Sequence, residues 1–401
     1  MATEDQWSFI TSEQQMHIKT AIEKSLAEGV VKINEYLEEQ NNTPLNIAIT
    51  GECGSGKSTF INAFRGINDS DEGAAPTGVV ETTTEVKAYP HPNLPNVTLW
   101  DLPGVGTPNF PADGYLEKVG FERFDFFIII TACRFKENDV RLALEIRRMG
   151  KKFYFLRSKI DFDISNEERR QSNFDRQETL KVIRENCTEG LRDQGIEAPQ
   201  VFLVSSFELH LFDFHLLEET LERELPAHKR NAFLYALPNI SKEIIKKKKE
   251  AYQAQIKYHA LFSSGVAAVP VPGLSSAVDL VLVVGVVTQY VNGFGLDKAS
   301  LRRLSDSSDV PYSELVSVMT SKLGGTTITP ELIKKLLSQL ALEGALIAAE
   351  EVSRFFLFIG IPVSMILSGV STYRILNFLL DLVAEDAQRV FEKAVEKNSE
   401  V

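Results

Sequence analysis

The stretch GECGSGKSTF places Gly51, Gly54, Gly56, Lys57 and Ser58 at the spacing of a loop that grips phosphates. Glycines let the backbone curl until its N–H groups converge on phosphate oxygens, and the helix that has to follow adds the positive end of its dipole. On this reading Gly51, Glu52, Gly54, Ser55, Gly56 and Thr59 line the nucleotide. The Lys57 ammonium bridges the β- and γ-phosphates as a catalytic cation, and the Ser58 hydroxyl holds Mg²⁺. Cys53, at a loop position that tolerates many residue types, is read as filler. An ordinary glycine-rich turn would explain the loop alone, but three further motifs in the right order displace that explanation.

The first, WDLPG at Trp100–Gly104, ends an apolar run with Asp101. Its carboxylate can hold a water of the Mg²⁺ shell, and the Gly104 N–H falls where a γ-phosphate would bind. The second, RSKID, offers Asp161, whose carboxylate can accept hydrogen bonds from guanine N1 and N2, a donor pair that adenine lacks. Lys159 would lie along the ring, and the motif favours GTP over ATP. Most loops of this kind carry asparagine where Ser158 stands, and its shorter hydroxyl is expected to brace the loop less well. The third, LVSS, brings Ser205 and Ser206 to the base. Between the phosphate loop and Asp101, the polar segment Gly73–Glu85 has the composition of a mobile switch. Thr77 and Thr83 both qualify there as the hydroxyl that completes Mg²⁺ coordination when a γ-phosphate is present.

These residues need a frame. From Ser12 an apolar stripe at helical spacing (Ile18, Ile22, Leu26, Val30, Ile33, Leu37) predicts one helix to about Gln40, opened by a capping box of Ser12 and Gln15. Leu45–Thr50 reads as a buried strand running into the loop. Further strands follow at Glu85–Ala88, Val97–Trp100, Phe126–Thr131, Phe153–Leu156 and Val201–Val204. Helices near Ser58–Arg65, Asp139–Met149, Arg176–Arg192 and Leu216–Glu224 alternate with them, the pattern of a doubly wound α/β domain with a mostly parallel sheet. From Ser241 the pattern is helical throughout, with breaks at Pro270–Gly273 and Gly360–Pro362. The expected division is an N-terminal helical segment at 1–44, a P-loop nucleotide domain at 45–225 and a C-terminal helical domain at 226–401.

A chain of 401 residues with 44% hydrophobic content can build such cores. Its formal charge of −12, with no basic patch interleaved with aromatics, argues against a nucleic-acid partner. Cys53, Cys133 and Cys187 are odd in number and widely spaced, which suits free thiols in a reducing compartment. The start MATEDQWSF carries no secretory signal, Ala2 no myristoylation signal, and the end no CaaX box, so a cytoplasmic location is expected. His210 and His215 lack metal-ligand spacing.

Taken together, GECGSGKSTFINAFRGI, GAAPTGVVETT, YPHPNLPNVTLWDLPGVGTPNF, YLEKVGFERFDFFIII, KKFYFLRSKIDFD and LPAHKR resemble the interferon-inducible, immunity-related GTPases, which are dynamin-like in behaviour. The resemblance runs from about Pro44 to Asn239 and continues more loosely through FGLDKASLRRL and VAEDAQRVFEKA. It implies a Ras-like GTPase domain inserted into a helical domain made from the N-terminal helix and the C-terminal half. It also implies GTP and GDP as substrate and product with Mg²⁺, self-association into dimers or oligomers in the GTP state, and contact with intracellular membranes. Through the resemblance Glu81, in the first switch, becomes a catalytic candidate acting where two GTPase domains meet across their nucleotides; a solvated loop carboxylate is the plainer alternative. The residues themselves add that GVGTPNF offers no glutamine to orient an attacking water, so an isolated monomer is expected to hydrolyse slowly.

Ala260–Val278, Leu280–Leu296 and Phe355–Tyr373 carry no charge and approach the roughly twenty residues that a spanning helix needs. Pro270, Pro272, Gly273, Gly360, Pro362 and Gly369 interrupt them. Core helices are the preferred reading, a hairpin or amphipathic segment at a bilayer surface comes second, and true spans last. Lys246–Lys249 reads as a solvated helix face that could meet anionic headgroups, at about 1 kcal/mol per lysine. The leading expectation is a Mg²⁺-dependent GTPase activated by self-association and acting on membranes. A GTP-switched binding protein with negligible turnover is the alternative.

Overall fold

The computed structural model describes residues 10–78, 83–104, 115–132, 137–171, 173–197, 199–267, 274–343 and 363–396. Glu81, Val105–Gly106 and Cys133 therefore lie outside the described residues. The chain divides into two units, one of Met1–Thr43, Pro226–Tyr235 and Ser241–Val401, the other of Pro44–Leu225 and Ala236–Ile240.

The first unit opens with two helices where one was expected, α1 (Ser12–Lys24) and α2 (Leu26–Asn42). Ser25 separates them in an extended conformation (φ −160°, ψ 145°), and its hydroxyl accepts the Glu28 N–H at 3.1 Å as the cap of α2. A serine that bonds a backbone donor ahead of it favours a helix start over a helix interior. The capping box of α1 is shifted by one residue from the expected pair: Thr11 accepts from Gln14 N at 3.2 Å, and Gln14 Oε1 accepts from Thr11 N at 2.9 Å.

In the second unit, strand β1 (Leu45–Thr50) leads through the glycine-rich loop into α3 (Lys57–Phe64). There follow β2 (Lys87–His91), β3 (Leu94–Asp101), the short α4 (Tyr115–Val119), β4 (Phe126–Thr131) and α5 (Glu137–Arg148). Next come β5 (Lys152–Arg157), α6 (Ile160–Arg170), α7 (Arg176–Asp193), β6 (Val201–Leu203) and α8 (Phe214–Glu224). The sheet order is β2-β3-β1-β4-β5-β6, with β2 antiparallel to β3 and the remaining pairs parallel. Strand β4 is buried along its whole length and β1 at every residue but Asn46, as their unbroken apolar runs require when helices cover both faces. Helix α6 was not foreseen. Only Ile160 and Ile164 of its polar sequence IDFDISNEERR are buried, too weak a stripe to read.

The helical unit continues with α9 (Ala227–Ala236), α10 (Lys242–Ala267), α11 (Leu274–Gly293), α12 (Lys298–Ser308), α13 (Tyr312–Ser317), α14 (Pro330–Glu343) and α15 (Val363–Glu396). The lysine run on α10 is not simply a solvated face. Lys248 is buried and donates to the Gly293 carbonyl at 2.7 Å, while Lys249 pairs with Asp381 at 2.7 Å. Around α10 a core forms from Tyr258 and Leu261 with Ile18, Ile33 and Leu37. The stretch Leu280–Ser308 is long and apolar enough to cross a membrane by length and composition alone, and 44% of its most apolar window is buried. The proline and glycine breaks at 270–273 and 360–362 lie outside the described residues.

Candidate nucleotide-binding site

The chain leaves β1 to reach β3 on one side and β4 on the other, and open α/β sheets take ligands at the carboxyl ends of strands beside such a reversal. The four sequence motifs fall there: the phosphate loop after β1, Asp101 as the last residue of β3, Ser158–Asp161 after β5, and Ser205–Ser206 just beyond β6.

Gly51 adopts φ +135°, and a Cβ at that position would stand 2.1 Å from the Ile130 carbonyl oxygen, so only glycine fits. Gly56 begins α3 from the left-handed region at φ +92°. The Lys57 side chain is buried and folds back over the loop, donating to the Gly51 carbonyl at 3.2 Å and the Glu52 carbonyl at 2.8 Å. A charge held by neutral carbonyls has weaker partners than phosphate oxygens would provide.

Asp101 is completely buried. Its Oδ2 accepts from the Ser58 hydroxyl at 2.7 Å and the Thr83 hydroxyl at 2.8 Å, while Oδ1 has no hydrogen-bond partner. Burial pushes the carboxyl above the usual carboxylate range, against the pull of Ser58, Lys57 and Thr83. Two hydroxyls and a carboxylate thus converge with an unused acceptor among them, the hard oxygen set that Mg²⁺ takes. Thr77 lines the same cavity, but its hydroxyl donates to Asp69 at 3.1 Å, so of the two switch threonines Thr83 is the one against Asp101. Gly104 backs onto the phosphate loop so closely that a Cβ there would lie 3.0 Å from Cys53 N.

On the base side, the Ser158 hydroxyl lies 2.6 Å from the Ser55 carbonyl and 3.1 Å from the Thr131 carbonyl, so it ties its own loop to the phosphate loop. The short side chain thus reaches the phosphate loop directly. Lys159 sits in the left-handed region at φ +58° and donates to the Gly54 carbonyl at 3.0 Å, stretched along the site. Asp161 stands in the first turn of α6 with Oδ1 buried and unpartnered, and the buried Ser55 and Ser205 hydroxyls are likewise without partners. Ser206 follows, half-buried. A cavity of about 100 Å³ is lined by Gly54, Gly56, Lys57, Ser58, Thr59, Thr77, Thr83, Gly104 and Lys159, with the exposed Cys53 at its wall.

Some supporting residues escaped the motif reading. Asn62 of α3 donates to Asp69 at 2.8 Å and to the Ala75 carbonyl at 2.9 Å, and accepts from Ala75 N at 2.7 Å. Arg65 donates to the Gly73 carbonyl at 3.0 Å. The helix after the phosphate loop thereby anchors the start of the switch segment. The readable signal was the polar pair Asn62 and Arg65, three residues apart at the end of α3. Arg157 pairs with Asp163 and donates to the Ser158 carbonyl at 2.7 Å, holding the base-side loop from beneath.

A phosphate loop after the first strand, a carboxylate beside its serine and an acidic base-side loop, all at the reversal of this sheet order, define a P-loop nucleotide-binding protein of the Ras-like kind. The family described as Interferon-inducible GTPase (IIGP) matches residues 11–394, and the chain belongs to it. It is 41% identical to Interferon-inducible GTPase 5 of Rattus norvegicus, over 98% of this chain and 86% of that one. Interferon-gamma-inducible GTPase 10 of Mus musculus is 38% identical, over 94% of this chain and 88% of its own length. Interferon-inducible GTPase 1 of Mus musculus is also 38% identical, over 91% and 86%.

Proposed function

We propose that the chain binds GTP with Mg²⁺ and hydrolyses it to GDP, faster when GTP-bound copies associate, and that it acts from the cytoplasm on intracellular membranes, in cell-autonomous defence or membrane remodelling. The observation that carries the nucleotide reading is a pair of carboxylate oxygens without partners, Asp161 Oδ1 on the base side and Asp101 Oδ1 on the phosphate side. Buried polar atoms are nearly always paired, so two leftover acceptors, one at the end of β3 and one just beyond β5, call for donors from outside the chain. Guanine N1–H and N2–H suit Asp161, and adenine presents no such pair.

Ser58, Thr83 and Asp101 would hold Mg²⁺, which supplies charge neutralisation across the β- and γ-phosphates. The Lys57 ammonium leaves the Gly51 and Glu52 carbonyls for phosphate oxygens, and the Gly104 N–H meets the γ-phosphate. Glu81 is the carboxylate assigned to the attacking water when two sites face each other. The names of the three relatives, each called a GTPase, support hydrolysis. The apolar stretch Leu280–Ser308, with Val281 exposed upon it, supports membrane contact.

Turnover of GTP per molecule, measured against protein concentration, tests the reading: a steep rise is expected, and a constant rate would remove assembly-driven catalysis. The missing glutamine in GVGTPNF favours a second reading, a GTP-switched binding protein, which a negligible flat rate with intact GTP binding would select. Flotation with vesicles of phosphatidylcholine and phosphatidylserine, under GTP and under GDP, tests the membrane part. No flotation in either state would remove it.

A further inference from the structure

Tyr115, the first residue of α4, has no place in the reaction described above, and its side chain is completely buried. Its hydroxyl donates to the Pro103 carbonyl at 2.7 Å. That uses its one proton, so the Thr50 hydroxyl, 2.9 Å away and also buried, is the donor to Tyr115. A directed chain results, from Thr50 to Tyr115 to the Pro103 carbonyl. Its two ends are informative. Thr50 closes β1 and immediately precedes Gly51 of the phosphate loop, while the Pro103 carbonyl belongs to the same peptide group as the Gly104 N–H.

A trans peptide is a rigid plane whose C=O and N–H point to opposite sides. Holding the Pro103 carbonyl toward Tyr115 therefore turns the Gly104 N–H away from Tyr115. The residue before the plane is held as well, because Leu102 N donates to the Ile49 carbonyl at 3.0 Å. On the other side Gly104 packs closely on Cys53, where an added Cβ would lie 3.0 Å from the Cys53 nitrogen. Neither neighbour of the peptide can drift, and proline has no N–H of its own that could compete for the orientation.

We propose that Tyr115 is a positioning residue that presets the Gly104 peptide for the γ-phosphate, through a hydrogen-bond chain anchored on the strand beneath the phosphate loop. The inference rests on the GTP reading of the site and adds to it a residue that favours the triphosphate over the diphosphate. GDP has no group to reach the Gly104 N–H, so the chain acts on GTP alone.

The test uses the full chain with Mg²⁺ and measures the affinities of GDP and of a non-hydrolysable GTP analogue for wild type, Tyr115→Phe, Thr50→Val and Thr50→Ser, with thermal unfolding alongside. Loss of both hydrogen bonds of the tyrosine hydroxyl should weaken the analogue about tenfold in Tyr115→Phe while GDP affinity stays within about twofold. Thr50→Val, which leaves the tyrosine packed and still bonded to Pro103, should move the same ratio by a smaller factor, and Thr50→Ser should restore it. If Tyr115→Phe does not fold, the two Thr50 variants carry the test. An unchanged ratio, or equal weakening of both nucleotides, overturns the proposal and leaves Tyr115 a merely structural residue. A wild-type chain that binds neither guanine nucleotide overturns the site reading as well, and is told apart because no variant is needed to see it.

Discussion

Asp386 of the helical unit and the two site acids of the α/β unit are held in opposite ways. In the helical unit Asp386 is saturated: Thr320 N and Ser321 N donate at 2.7 Å and 3.0 Å, both hydroxyls of that pair add bonds, and Arg389 adds another at 2.9 Å. In the α/β unit Asp101 and Asp161 each keep an oxygen with nothing to accept from, beside the equally unpartnered Ser55 and Ser205 hydroxyls. The helical unit does leave single polar atoms over, the Tyr290 hydroxyl on α11 and Arg374 Nε on α15, but on different helices. A buried polar group that is fully bonded holds the fold together. Several left open at the carboxyl edge of one sheet describe the charge and hydrogen-bonding pattern of a molecule that is to come.

The same chemical change should therefore do three different things at three aspartates. Asp386→Asn has the largest expected effect: its amide nitrogen must face one of two backbone N–H donors, destabilising the helical unit by about 3 kcal/mol while nucleotide affinity holds. Denaturant unfolding measured beside nucleotide titration checks it. Asp161→Asn should leave stability nearly unchanged yet weaken guanine nucleotides about 100-fold and raise the relative affinity for xanthine nucleotides, whose C2 carbonyl accepts from an amide. Competition binding reads the ratio, and an unaltered base preference would remove Asp161 from base recognition.

A pH series sharpens the contrast from the helical side. Burial lowers the His259 imidazole to about 4, so the fold holds it neutral. The unfolded chain takes up its proton at higher pH, hence the contribution is present above about pH 6.5, is lost as pH falls toward 4, and amounts to about 2 kcal/mol by pH 5. His259→Leu should flatten that part of the stability profile, and a slope equal to wild type would refute it. The smallest effect, of opposite sign to Asp386→Asn, is expected at Asp101→Asn. Because the folded carboxyl lies above its unfolded value, wild type gains stability from it only under acid and loses that gain as pH rises. Without nucleotide the variant should be slightly more stable at pH 7, with the gap closing as pH falls to the ordinary carboxylate range, while its Mg²⁺-dependent nucleotide affinity falls. A loss of stability like that of Asp386→Asn would erase the distinction between open and closed acids.

What could be read in advance follows the range of the forces involved. The phosphate loop, WDLPG and RSKID were legible because each packs its chemistry into a few consecutive residues flanked by apolar strands. The break at Ser25 was hidden because the apolar stripe resumes in phase on α2, with Ile18 and Ile33 buried on either side of it. Helix α6 was hidden by a nearly all-polar sequence that needs only Ile160 and Ile164 to dock. Four consecutive lysines gave no sign that one of them, Lys248, would be buried against the Gly293 carbonyl, because that acceptor comes from α11.

By itself the sequence determined the class of the α/β unit, the nucleotide loop and the place of Asp161 just beyond a strand end, since strand periodicity, glycine placement and motif order are local properties. The tertiary structure alone decided that Thr83 rather than Thr77 stands against Asp101, that Ser158 reaches the Ser55 carbonyl, and that Tyr115 joins Thr50 to Pro103. Each of those choices is made by a hydrogen bond between residues far apart in the chain. Which partners meet depends on strand order and helix docking, and no short window of residues contains that information.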